Sequence, residues 1–65
     1  MTKIDVFNKN VFNYISTEYG NNTLKKVQTS KNKDKVKQLL EDSRKRDYAT
    51  DRTANKIIAM LRLNP

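Results

Sequence analysis

The chain has 65 residues and a formal charge of +7, from 14 Lys and Arg against 7 Asp and Glu. It holds no Cys and no His, which removes disulfides, thiolate and imidazole catalysis and, with them, a conventional zinc site. That length allows one domain, residues 1–65, near the lower size limit for folding without a staple.

Leaving out Met1 and three alanines, 19 sizeable apolar side chains remain, enough for one small cluster of three or four helices. Burial and chain entropy nearly cancel at this size, so a homodimer contact or a partner is expected to supply part of the stability. The charge is unevenly placed. In residues 1–20, Lys3 and Lys9 balance Asp5 and Glu18, whereas residues 21–65 hold 12 basic and 5 acidic groups. A one-sided basic excess is the usual footprint of a polyanion partner.

Thr2 to Tyr19 reads as the first helix. Thr2 and Asp5 resemble a capping box, and Ile4, Phe7, Val11, Phe12, Tyr14 and Ile15 form a wide apolar stripe. A short strand at Lys3 to Phe7 is the competing reading, without an obvious pairing partner. Ile4, Val6 and Phe7 are interrupted by Asp5, Asn8, Lys9 and Asn10, unlike a secretory leader. No run approaches the ~20 apolar residues of a membrane span, so a cytoplasmic place is expected, nucleoid-associated if the partner is DNA. Gly20 is placed to end the helix in a left-handed cap, with Asn21 and Asn22 in the turn. Thr23 to Thr29 makes one or two turns with Leu24 and Val27 inward.

Ser30 to Lys35 is a polar bridge carrying Lys31, Lys33 and Lys35. It reads first as a solvated loop; the alternative has Ser30 or Asn32 capping the next helix while the lysines touch phosphates. Asp34 to about Arg46 is the third long helix, with Val36, Leu39, Leu40 and Ser43 on its inward stripe. Lys37–Glu41 and Asp42–Arg46 are spaced for ion pairs. Asp47 to Ala49 connects to the last helix, with Tyr48 folding back towards the core. In Thr50 to Leu63, capped by Thr50 or Asp51, Ala54, Ile57, Ile58 and Leu61 line one face; Arg52, Asn55, Lys56 and Arg62 lie roughly opposite. The expected fold is therefore all-α: a small three- to four-helix domain whose C-terminal half can contain a helix-turn-helix-like pair. Its expected core is Ile4, Phe7, Val11, Ile15, Leu24, Val36, Leu39, Leu40, Ile57, Ile58 and Leu61.

An enzyme is not expected. There is no glycine-rich phosphate cradle, the carboxylates are scattered among basic residues, and the serines lack a histidine base. No metal or cofactor is implied. Two binding readings remain. In the first, the chain is a basic nucleic-acid-binding regulator, DNA more than RNA. The helix at 51–63 then presents Arg52, Asn55 and Lys56 to base edges, and Lys31, Lys33, Lys35, Lys37, Arg44 and Arg46 meet phosphates. RNA fits less well because no exposed aromatic pair is interleaved with the basic residues to stack bases. In the second, the chain is a non-enzymatic modulator, of phage or plasmid type, that inhibits or redirects a larger protein through an acidic surface on that partner. Its contact face would use Phe12, Tyr48, Met60 and Leu63. The Lys- and Asn-rich composition also fits an AT-rich genome, such as that of a low-GC bacterium or its phage.

Overall fold

A computed structural model describes residues 3–63, with side chains from Val6 onward. The capping box at Thr2 and Asp5 and the core position of Ile4 lie outside what is described. Among the described residues the chain is all-helical: α1 (Lys3–Tyr19), α2 (Asn21–Val27), α3 (Ser30–Lys45) and α4 (Thr50–Leu61). Every pair of helices touches, but α1 carries the largest share, packing mainly on α2 and α4. Its long apolar stripe explains this. Val11 and Ile15, four apart, are wholly buried, and Phe7, Phe12, Tyr14 and Tyr19 flank them half-buried. The other helices meet this spine with Val27 from α2, Val36 and Leu40 from α3, and Ala54, Ile57 and Ile58 from α4. Leu24, Leu39 and Leu61, expected inside, sit at the margin of that cluster.

α1 and α2 are separated by Gly20 alone, and Asn21 and Asn22 form the first turn of α2 rather than a loop. The Gly20 N–H donates to the Ser16 carbonyl at 3.1 Å, closing α1, while its own carbonyl accepts from Leu24 N–H at 3.1 Å, opening α2. Serving both ends requires φ 95° and ψ 160°, an extended positive-φ conformation open to glycine almost alone, not the left-handed helical cap expected from the sequence.

Ser30 to Lys35, expected as a loop, is the first turn and a half of α3, and only Gln28 and Thr29 separate it from α2. The physical reason lies in the carbonyls that α2 leaves open. The Lys26 carbonyl accepts from the Thr29 hydroxyl at 3.0 Å and from the Asn32 side-chain amide at 2.9 Å. Asn32 reaches it from the first turn of α3, so the helix starts where it closes its neighbour.

α3 and α4 both end in a Schellman turn made without glycine. At the first, Tyr48 N–H donates to the Ser43 carbonyl at 2.9 Å and Asp47 N–H to the Arg44 carbonyl at 3.2 Å, with Asp47 left-handed at φ 59°. At the second, Leu63 N–H donates to Ile58 at 3.1 Å and Arg62 N–H to Ala59 at 3.2 Å, with Arg62 at φ 55°. This turn folds Leu63 back against the core. The start of α4 departs from expectation. Ala49 occupies the cap position and no side chain caps the helix; the Asp51 carboxylate accepts instead from the adjacent Arg52 N–H at 2.8 Å.

A Cβ built on Gly20 meets no atom within 4 Å, so a substitution there tests backbone conformation alone. Gly20→Ala is expected to lower unfolding free energy by about 1–3 kcal/mol, read by chemical denaturation.

Candidate nucleic-acid interface

The outward face of α4 is fixed by what the helix buries. Thr53, Ala54, Ile57 and Ile58 are buried, which at 3.6 residues per turn leaves Arg52, Asn55, Lys56 and Ala59 facing solvent together. All three candidate base-reading residues therefore share one exposed face. The buried Thr53 is satisfied within the helix, its hydroxyl donating to the Ala49 carbonyl at 3.0 Å.

Two of the three are organised by Tyr48 in the α3–α4 connection. The Arg52 guanidinium carbon lies 4.0 Å from the centre of the Tyr48 ring and the Lys56 ammonium 4.6 Å from it. Both are within cation–π range, so one half-buried ring gathers two positive charges. The 48, 52, 56 spacing made this visible in principle: a tyrosine just ahead of a helix with cations at successive turns. Sequence reasoning placed Tyr48 near the core and on a protein-binding face, not beneath the basic residues.

Asn55 is held differently. The Tyr19 hydroxyl donates to its side-chain oxygen at 2.6 Å, tying α4 to the end of α1 across 36 residues of sequence. One end of the amide is thus engaged, and bidentate pairing with adenine requires that bond to open. Arg46, beside Tyr48, pairs with Asp42 at 3.1 Å on the surface. Hydrogen bonding to Asp42 first, and the neighbouring Tyr48 second, hold its guanidinium above its ordinary value. Among the described residues this is the one salt bridge; neither the expected Lys37–Glu41 pair nor any carboxylate on Arg52 or Lys56 comes within 4.0 Å.

The candidate phosphate-binding residues do not form one patch. Lys31 and Lys35 are one turn apart on one flank of α3, and Lys35 borders a shallow hollow beside α4 with Gln38, Leu39, Asp42 and Met60. Lys33 and Lys37 are one turn apart on the other flank, in a groove shared with Asn8 and Phe12 of α1. Arg44 follows Lys37 by seven residues on that same row, half-buried near the end of α3. The residues weighed for a protein contact are equally dispersed. Phe12 lines the groove, Met60 is 41% exposed at the hollow, Tyr48 lies under the cations, and Leu63 packs against the core.

No protein-family model, curated protein or solved structure matches this chain.

Replacing Tyr48 by Leu keeps an apolar side chain and removes the ring under Arg52 and Lys56. A double-mutant cycle of Tyr48→Leu with Arg52→Ala is expected to give a coupling of about 0.5–1 kcal/mol, the size of a cation–π contact at an exposed site, measured by chemical denaturation.

Proposed function

We propose that the protein is a small nucleic-acid-binding regulator, with duplex DNA as its preferred ligand and the exposed face of α4 as its reading surface. One observation carries this: Arg52 and Lys56 converge on one tyrosine ring, and among the described residues no carboxylate oxygen lies within 4.0 Å of either charged group. Like charges drawn together repel, and the face of the Tyr48 ring offsets only part of that repulsion. A phosphate backbone relieves it and gains from the release of its own counterions. Arg52 makes no side-chain hydrogen bond among the described residues, so its N–H groups are free to fork onto a phosphate or a guanine.

Duplex is favoured over single strands because cations already occupy the Tyr48 ring, which is therefore a poor stacking platform for unpaired bases. In the helix-turn-helix arrangement, α3 is the supporting helix, residues 46–49 the turn and α4 the groove helix. The turn lacks the usual glycine, but Asp47 takes the left-handed conformation that glycine supplies in such turns. Asn55, released from Tyr19, supplies the sequence preference, and Lys31, Lys35 and Arg46 are on hand for phosphates. A single module of this size binds weakly, so two copies or a companion protein are implied at a specific site.

Fluorescence anisotropy with a labelled duplex tests this reading. Binding is expected to weaken by orders of magnitude between about 50 and 200 mM salt. Lys56→Ala is expected to weaken binding on every sequence and lower the salt slope by about one, while Asn55→Ala flattens the preference between sequences. Lys33→Ala, on the far flank of α3, is expected to leave both nearly unchanged. Absence of binding at low salt, or equal losses from Lys56→Ala and Lys33→Ala, would overturn it.

A further inference from the structure

Away from the α4 face, α1 and the α2–α3 corner enclose an open groove of about 530 Å³, within the range of sites that take a drug-sized ligand or the anchor side chains of a peptide. Half-buried Phe12 is the apolar side chain most open to it, and the buried Val27, Val36 and Leu40 form its floor. Lys33 and Lys37 line it as well, both exposed and neither within 4.0 Å of a carboxylate among the described residues. Asn8, Gln28 and Ser30 complete the lining, and the Asn8 side-chain oxygen is shut off from water with no hydrogen-bond donor among the described residues. A buried carbonyl oxygen left without a donor is costly to a small fold, and closed to water it is closed to a ligand in the groove as well.

We propose that this groove binds an acidic amphipathic peptide segment of a partner protein. Bulky apolar side chains of the segment fill the lining around Phe12, and its carboxylates meet Lys33 and Lys37. The charge argument selects this occupant. The lysines border the Phe12 side chain and, among the described residues, have no carboxylate within 4.0 Å, so the complementary ligand is apolar on one side and anionic along its edge. A second copy of this chain, which is strongly basic, is a poor match. This site is independent of the α4 face, and its failure leaves the DNA reading standing.

The probe is a labelled helix-forming peptide with Leu or Phe along one stripe and Asp or Glu elsewhere, titrated into the full chain. A matched peptide carries Lys in place of the acids. The acidic peptide is expected to bind and the basic one not. Reversing both rim charges, Lys33→Glu with Lys37→Glu, is expected to weaken the acidic peptide at least about tenfold without unfolding the chain, since both residues are exposed. Equal binding of the two peptides, or an acidic peptide indifferent to the Lys33 and Lys37 reversal, would overturn the site. So would a loss that follows Arg52→Glu with Lys56→Glu instead.

Discussion

The packing of α1 against α4 is the constraint on which the rest of the structure depends. Ile15 is wholly buried, as is Ile57, and Ile58 is 1% exposed, which makes them the largest fully enclosed side chains of a small core. With so few buried side chains, no helix here is stable by itself. The seven residues of α2 are too few for an isolated helix, and α3 contributes only Val36, Leu40 and Ser43 to the interior over 16 residues. Both are helical because they rest on the α1–α4 pair. The Tyr19–Asn55 hydrogen bond belongs to the same contact, so the packing that builds the fold also holds one candidate base-reading side chain.

The connections are short because each helix end is closed by its neighbour. Gly20 ends one helix while opening the next, and Asn32 in α3 closes α2 at Lys26. The left-handed turns at Asp47 and Arg62 bring Tyr48 and Leu63 back onto the body of the protein. The turn at Asp47 has a direct consequence for the surface, because it carries the ring that gathers Arg52 and Lys56. Backbone closure and surface chemistry are linked at that point. A change in how α3 ends is a change in where two cations stand.

The apolar periodicity was strong enough to reveal the helical architecture and most of the buried stripe: Val11 with Ile15, Val36 with Leu40, and Ile57 with Ile58. Legibility failed where long-range contacts or backbone closure decide the outcome. A charge run with no buried residue reads as loop, yet Ser30 to Lys35 is helical because Asn32 has a carbonyl to reach. Left-handed turns are signalled by glycine, and here Asp and Arg make them. The shared outward face of Arg52, Asn55 and Lys56 was legible because it is the complement of the apolar stripe. The division of the α3 lysines was also implicit in helical spacing, since 31 with 35 and 33 with 37 define different rows. What those rows face depends on α1 and α4 and could not be read locally. The same holds for Asn8, whose buried oxygen is a product of packing.

The resulting molecule has two chemically different surfaces: cations gathered on Tyr48 beside Asn55, and an apolar groove bordered by Lys33 and Lys37. Amide chemical-shift mapping during titration with a short duplex at low salt tests the division between them most directly. The account predicts perturbations concentrated in residues 46–56 and in the Asn55 side-chain amide, with Phe12, Lys33 and Lys37 little affected. Perturbations centred on the groove, or spread evenly over every lysine of the chain, would contradict it.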